Sequence, residues 1–248
     1  MIFNKITFIH IPKTAGSSII NSLNKNYDLL FKGNKEDFIN EKIDINKNYN
    51  DSSNLIGDFN VHLPFDLIKM NKNYLNKPVF TFVRNPYSRA VSLYFECLRD
   101  SKHHKRLNIN SKTNFEDFLN KVKDNDYWFT MPMMDWIGND NFDKIDHIAN
   151  FEDFENELKT IIKKFNIKIE YNIHNVNNSV GTKYSPVNYV NFYKDKKNVK
   201  LIEDIYKNDL KNFNYNFENF TRYEIKKSSK LFIIKKLITK KLFNFLKK

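Results

Sequence analysis

The feature that most constrains the fold of this 248-residue chain is an apolar run near its beginning that leads directly into a short polar loop. The run KITFIHI (residues 5–11) is apolar and β-branched, as in a strand buried on both faces of a parallel sheet. The loop PKTAGSS (residues 12–18) follows, and the next residues, IINSL (19–23), are typical of a helix. The chain is therefore predicted to begin with a strand–loop–helix unit.

Strands and helices continue to alternate along the chain. Further strands are predicted at residues 54–58, 79–83 and within 145–151, and helices begin at Pro64 and Pro86, because proline is favoured at the first helical position. Later helices are expected over residues 114–122, 151–165 and 199–213. This alternation predicts a doubly wound α/β fold, with a parallel sheet flanked by helices.

The loop at residues 12–18 has the residues of an anion-binding site. A loop between a strand and a helix can direct backbone N–H groups at an anion, and the helix dipole adds favourable charge. Gly16 permits close approach, Ser17 and Ser18 add hydroxyl donors, and Lys13 and Thr14 can reach the same centre. The nucleoside-triphosphate spacing GxxxxGK[ST] is absent, since Lys13 precedes the glycine. A solvated loop with a chance lysine is the alternative.

A second candidate anion site follows the strand at residues 79–83. Arg84 comes at the strand end, where a guanidinium can hold a phosphate through two parallel hydrogen bonds. Ser92 lies eight residues further, about two helical turns, and can face the same groove. Arg89 either joins this site or forms a salt bridge or a solvated face.

Together these two motifs resemble a known family. FIHIPKTAGSSI (residues 8–19) and FTFVRNPYSRAVSLY (residues 80–94) resemble the donor-binding elements of the sulfotransferase superfamily, in particular of carbohydrate sulfotransferases that use 3′-phosphoadenosine-5′-phosphosulfate (PAPS). The resemblance implies a P-loop nucleotide-hydrolase-like sulfotransferase fold, with the 5′-phosphosulfate on the first loop and the 3′-phosphate on the second. The implied donor-binding residues are Lys13, Thr14, Ala15, Gly16, Ser17 and Ser18 for the first group, and Arg84 and Ser92 for the second.

Weaker similarity extends over roughly residues 3–217. The segment GDFNVHLPF (residues 57–65) resembles a family segment with a histidine before Leu-Pro, and residues 150–152 resemble a strand end of the family. Residues 177–179 resemble its closing loop, in which Lys183 either closes over the nucleotide or stays solvated.

Sulfuryl transfer depends mainly on positioning and on stabilising developing charge. Lys13 is placed to neutralise the leaving phosphate oxygen, and the acceptor hydroxyl needs a base, for which a histidine is the natural choice. His62 is the first candidate, and the alternative is that it only packs under the helix at Pro64. Glu152 is the second candidate, although a structural carboxylate is the commoner outcome.

The remaining histidines and the single cysteine have other expected roles. His10 is expected to pack in the sheet, and His103 and His104 lie in a basic segment that is solvated or touches an anionic acceptor. No histidine has the HExxH spacing or another metal-ligand spacing, so no metal site is predicted. Cys97 lies in the apolar helical run SLYFECL and is expected to be a buried structural thiol.

The net charge of +12 is concentrated in the last residues of the chain. Residues 226–248 carry nine lysines and no acid, which leaves +3 for the preceding residues and disfavours nucleic-acid binding. The apolar side chains of this tail fall on one helical face: Leu231, Ile234, Ile238, Leu242 and Phe245. The sequence thus predicts a catalytic domain at residues 1–223 and a basic amphipathic helix at residues 224–248.

Two kinds of partner suit such a tail. It can lie on an anionic membrane surface, or it can dock on the body of the protein or on another protein with its lysines in water. No signal peptide and no membrane-spanning run is visible, so the expected location is the cytoplasm, at the inner face of a membrane if the tail binds lipid.

Two other functions fit the same nucleotide-type fold. A kinase or other phosphotransferase would need Mg²⁺ and a carboxylate that holds it after a strand. A non-catalytic protein tethered to a membrane would bind nucleotide without turnover. The resemblance favours transfer of a sulfuryl group from PAPS to a hydroxyl of a carbohydrate acceptor, without a metal.

Overall fold

The computed structural model describes residues 1–31, 62–74, 76–170 and 188–226. The strand predicted at residues 54–58, the closing loop with Lys183, and residues 227–248 of the tail lie outside these ranges, so those expectations stay predictions. In the part of the chain that is described, no helix combines the length and apolarity needed to cross a membrane.

The described strands form one sheet, whose spatial order is β3-β1-β2-β4-β5. In chain order the strands are β1 (Ile2–Phe3), β2 (Thr7–Ile9), β3 (Leu29–Phe31), β4 (Val79–Val83) and β5 (His147–Asn150). Strands β2, β4 and β5 run parallel, with Thr7 opposite Val79 and Phe80 opposite His147. Strand β1 is antiparallel to both β2 and β3.

The predicted α/β class is confirmed, but the sheet is mixed: the parallel strands β2, β4 and β5 occupy one side of it, and the antiparallel strands β1 and β3 the other. The antiparallel strands β1 and β3 were not predicted. They have two and three residues, which is too short for an alternation of apolar and polar residues to reveal them.

Helices connect and cover these strands. They are α1 (Gly16–Asn26), α2 (Phe65–Ile68), α3 (Pro86–Arg99), α4 (Lys102–Leu107), α5 (Phe115–Lys123), α6 (Met133–Ile137), α7 (Phe154–Phe165), α8 (Lys196–Ile205), α9 (Lys207–Asn212) and α10 (residues 217–226). Short 3-10 turns lie at Lys72–Tyr74, Asn139–Lys144, Phe151–Asp153 and Tyr189–Tyr193. The helices predicted after Pro64 and Pro86 and around residues 114–122, 151–165 and 199–213 are all present.

Side chains alternate across the sheet and build a separate core on each face. Phe8, Phe80 and Phe82 pack on one face against apolar residues of α1 and α7. Ile9 and Val83 belong to the larger core on the other face, which α3, α5, α6 and α8 cover. The sheet is therefore the middle of three layers, and β2 and β4 are buried on both sides, as their apolar sequences predict, whereas the edge strand β5 is only partly buried.

Helix α3 begins abruptly where β4 ends. The Asn85 side chain accepts a hydrogen bond of 3.1 Å from the backbone N–H of Tyr87, and Pro86 occupies the first helical position. Both features favour a helix start at this point. Arg84 is therefore held between a buried strand and a capped helix, with little freedom of its backbone.

A buried carboxylate ties the middle of the chain to α9. Asp209 accepts hydrogen bonds of 2.8 Å from the backbone N–H groups of both Met133 and Met134, the first residues of α6. Burial raises the pKa of Asp209 to about 6, and the nearby charge of Arg89 opposes that rise. Asp209 thus caps α6 and supplies negative charge near a buried arginine.

We expect Asp209→Asn to destabilise the fold by about 3 kcal/mol, since the amide offers one acceptor oxygen instead of two and removes the negative charge near Arg89. The midpoint and slope of denaturant unfolding measure this change. The matched control is Asp204→Asn at the exposed Asp204–Lys123 pair, where the loss should stay below about 1 kcal/mol. Equal effects of the two substitutions would contradict the assignment.

Candidate active site

The carboxyl ends of β2 and β4 open into one cleft of about 260 Å³. Parallel α/β sheets bind ligands at this edge. The cleft brings together most of the candidate residues with several that the sequence did not single out. Its lining is formed by His10, Pro12, Lys13, Ala15, Gly16, Ser17, His62, Arg84, Ser92, Glu96, Arg99, Phe129 and Phe151.

The loop after β2 has an unusual backbone that is fixed by close packing. Lys13 and Ala15 both have a positive φ, 66° and 82°, in the left-handed region. A Cβ atom added to Gly16 would lie 1.8 Å from Cδ2 of the His10 ring, so only glycine fits there. Ala15 precedes α1 and has no side chain able to cap it, which leaves the first N–H groups of the helix available to an anion in the cleft.

The hydroxyl-bearing residues of this loop differ in their surroundings. Ser17 is exposed and lines the cleft. Thr14 is buried, and its hydroxyl donates a 2.9 Å hydrogen bond to the carbonyl oxygen of Ile11, which stabilises the turn of the loop. Its part in donor binding stays a prediction. Ser18 belongs to the first turn of α1.

Arg84 lies at the far wall of the cleft and is held in one orientation. Its Nε donates to Ser88 Oγ at 2.8 Å, and its Nη1 donates to the carbonyl oxygen of Lys13 at 3.2 Å. The guanidinium lies over the ring of Phe151, with Cζ 4.3 Å from the ring centroid. A guanidinium has five N–H donors, so these two bonds leave others for a ligand.

Ser92 lies on α3 and also lines the cleft. The helix places it two turns beyond Arg84 on the same face, as the spacing predicts. The structure therefore brings Arg84, Ser92 and the loop together, while their role in donor binding stays a prediction.

Arg89 does not line the cleft. It is not on a solvated face, and it does not lie at a donor-binding position. Its side chain is fully buried, where Nε donates to the carbonyl oxygen of Pro12 and Nη1 to that of Met131, both at 3.0 Å. Burial lowers the pKa of Arg89, and the charge of Asp209 opposes that change. Arg89 therefore supports the anion loop from behind.

Sequence reasoning missed a charged cluster inside the cleft. Lys13 Nζ donates to Glu96 Oε2 at 2.8 Å, and Glu96 Oε1 accepts from Arg99 Nη2 at 2.5 Å. The signal was present in the sequence, because Ser88, Ser92, Glu96 and Arg99 follow Arg84 at intervals of three or four residues on one face of α3. A polar stripe along an otherwise apolar helix indicates a face turned to a cleft.

His62 lies at the other wall and has a defined tautomer. Its Nδ1 lies 2.9 Å from the carbonyl oxygen of His10. A carbonyl oxygen only accepts, so Nδ1 carries the proton and Nε2 keeps its lone pair. Burial is the main reason why the pKa of His62 falls to about 4, and the charges of Lys13 and Arg89 lower it further. His62 is thus neutral at pH 7, the form that a general base needs.

Aromatic side chains surround the imidazole of His62. Its ring stacks on that of His10 with centroids 3.9 Å apart, and the rings of Trp128, Phe129 and Trp136 lie within 6.4 Å. His10 is buried, as expected, but its ring also forms the floor of the cleft under Gly16. The alternative that His62 only packs under α2 does not account for its place in the cleft lining.

Glu152, the second candidate base, and Cys97 both have structural roles. Glu152 does not line the cleft; its Oε1 accepts from the Asn85 N–H at 2.8 Å and its Oε2 from the Tyr215 hydroxyl at 2.8 Å. Oε1 therefore links the end of β5 to the start of α3, and Oε2 links it to the segment after α9. Cys97 is buried, and burial raises the pKa of its thiol, which disfavours a nucleophilic role.

Comparisons with known proteins give one family. No curated protein matches the chain significantly in sequence. Among solved structures, a mouse sulfotransferase, SULT7A1, complexed with PAP, is similar with a TM-score of 0.48 and 13% identity, covering 84% of this chain and 85% of that one. The profile described as "Sulfotransferase family" matches residues 3–216. Since this match spans most of its length, the chain belongs to the sulfotransferase family.

Proposed function

We propose that this enzyme transfers a sulfuryl group from PAPS to a hydroxyl of a carbohydrate acceptor. The observation that carries the proposal is that the loop at residues 12–18, Arg84 after β4 and Ser92 on α3 line the same cleft. Arg84 and Lys13 share a hydrogen bond although they are 71 residues apart in sequence. One pair of elements thus offers two anion-binding centres, as a donor with phosphate groups at two positions requires.

The residues of the cleft fit such a donor. The loop provides the first N–H groups of α1, the Ser17 hydroxyl and the Lys13 ammonium for the 5′-phosphosulfate. Arg84, fixed by Ser88 and Phe151, has donors left for the 3′-phosphate, and Ser92 lies beside it.

The proposed chemistry assigns one role to each wall of the cleft. When bound, the donor supplies a sulfur–oxygen bond that breaks as the acceptor oxygen bonds to sulfur. His62 takes the acceptor's hydroxyl proton at Nε2, which the hydrogen bond from Nδ1 to the His10 carbonyl keeps unprotonated. Lys13 stabilises the negative charge left on the departing nucleotide phosphate.

A carbohydrate acceptor is supported by the motif resemblance and by the surroundings of the base. The ring of Trp128 lies 5.6 Å from that of His62, and Phe129 lines the cleft. Flat aromatic faces next to a base suit the apolar faces of a sugar ring whose hydroxyls point towards that base.

The first test is calorimetric titration with 3′-phosphoadenosine-5′-phosphate (PAP) and with ATP, each with and without Mg²⁺. We expect metal-independent binding that favours PAP and falls at least about 100-fold in Arg84→Ala, since a charge-assisted bidentate contact is lost. Arg222→Ala is the control, because Arg222 is exposed and pairs only with Glu218 of its own helix among the contacts described. If the protein binds only ATP, and only in the presence of Mg²⁺, a kinase becomes the favoured function.

The role of His62 is tested with His62→Asn, whose amide can still donate to the His10 carbonyl. We expect kcat at pH 7 to fall about 10²–10⁴-fold while PAP binds as before, because only the base is removed. For the wild type, the acid limb of kcat/KM should lie near pH 4, following the lowered pKa of His62, and not near the ordinary value of 6.5.

His104→Asn is the matched control, because His104 does not line the cleft. Unchanged turnover in His62→Asn would rule out the base, and PAP binding without any turnover of PAPS in the wild type would favour a non-catalytic protein.

The proposal extends to the tail, whose nine lysines and apolar face suit an anionic membrane at the cytoplasmic side. We expect the full chain to sediment with phosphatidylglycerol-containing vesicles but not with phosphatidylcholine vesicles. Replacing Lys236, Lys240 and Lys247 with Gln should weaken binding by about 1 kcal/mol per lysine. Binding to neither vesicle type would favour docking of the tail on protein.

A further inference from the structure

A carboxylate in the part of the cleft that receives the donor's anionic group is unexpected. Glu96 lines the cleft on α3 and is bonded to Lys13, whose ammonium is the group proposed to meet the transferred end of the donor. Its side chain is 17% exposed and that of Lys13 is 16% exposed, so this ion pair is largely shielded from water. Such a pair is screened less by salt than a surface pair.

Glu96 remains ionised in this setting. Burial by itself raises the pKa of Glu96, but the charges and hydrogen bonds of Lys13 and Arg99 outweigh it and lower the pKa below its ordinary value. The cluster of one carboxylate and two cations thus carries one net positive charge. Without Glu96 the same place would carry two.

We propose that Glu96 sets the charge that this end of the cleft accepts, so that the enzyme selects a donor whose terminal group carries one negative charge over one that carries two. A sulfuryl group carries one. A terminal phosphoryl group carries nearly two above its second pKa of about 6. The inference rests on the proposed function, and it names Glu96 as a specificity-determining residue of the same site.

The proposed selection between singly and doubly charged groups depends on the partners of the Lys13 ammonium. An ammonium has three N–H donors, and Glu96 occupies one of them, so Lys13 can hold a ligand oxygen while it stays paired. A group bound in this way lies next to the carboxylate as well as to the ammonium. The second negative charge of a phosphoryl group is therefore repelled by Glu96, in surroundings where charges interact more strongly than in water.

A pair of ligands that differ only in the terminal group tests this inference. PAPS ends in a sulfuryl group, and adenosine 3′-phosphate 5′-diphosphate has a phosphoryl group in its place. Dissociation constants of both are measured without metal at pH 8, where the phosphoryl group is a dianion. The proteins are the wild type, Glu96→Gln and Glu96→Asp.

In the wild type we expect PAPS to bind more tightly than the diphosphate. In Glu96→Gln the dissociation constant of the diphosphate divided by that of PAPS should fall about tenfold, chiefly because the diphosphate binds more tightly. The amide has the shape but not the charge of the carboxylate. Glu96→Asp keeps the charge and should keep the wild-type ratio. Glu157→Gln is the control, since Glu157 is also 17% exposed and hydrogen-bonded to a basic side chain, that of His147, but does not line the cleft.

Each other outcome overturns the inference in a recognisable way. If both ligands weaken by the same factor in Glu96→Gln, the carboxylate only orients Lys13. If the ratio is unchanged, the carboxylate does not sense the terminal group, and the proposed function still stands. If the wild type binds neither ligand nor PAP, the proposed function fails together with the inference.

Discussion

The site depends on how the chain leaves strand β2. The backbone carbonyl oxygens of five successive residues, 9–13, each accept a hydrogen bond from a side chain. The donors, in that order, are Thr81, His62, Thr14, Arg89 and Arg84. Buried carbonyl groups must be satisfied by hydrogen bonds, and the side chains that do this here come from β4, the residue after β4, α3, the segment before α2 and the loop itself. Four of the five donors lie far from the loop in sequence, so the shape of the anion loop depends on distant segments.

This arrangement explains why the second motif has two arginines with different tasks. Arg84 donates a hydrogen bond to the Lys13 carbonyl oxygen and also lines the cleft. A residue of the second proposed anion site therefore helps to shape the loop that forms the first. Arg89 grips the loop through Pro12 and is buried behind it, close to the charge of Asp209. Because the loop and α3 share these bonds, the distance between the two proposed anion centres is fixed before any ligand arrives, which lowers the entropic cost of binding.

The sequence predicted what is local and periodic. The strand–loop–helix at residues 5–23 and the start of α3 at Pro86 followed from apolar runs and from proline at the first helical position. Side-chain partners across the fold did not follow: the inward hydroxyl of Thr14 and the Lys13–Glu96 pair depend on how distant segments pack. Propensity and spacing carry no information about which carbonyl a given arginine will meet.

The two walls of the cleft have opposite electrostatic requirements, and Lys13 of the loop affects both of them. As the proposed base, His62 must stay neutral, and it does so because burial and the positive charges of Lys13 and Arg89 disfavour a second proton. The proposed donor wall must be positive, but too much positive charge would favour a phosphoryl over a sulfuryl group. Glu96 lowers the charge at that wall without removing Lys13 from the cleft. The positive charge of Lys13 thus disfavours protonation of His62 and attracts a monoanion. Glu96, which is paired with Lys13, prevents that charge from favouring a dianion.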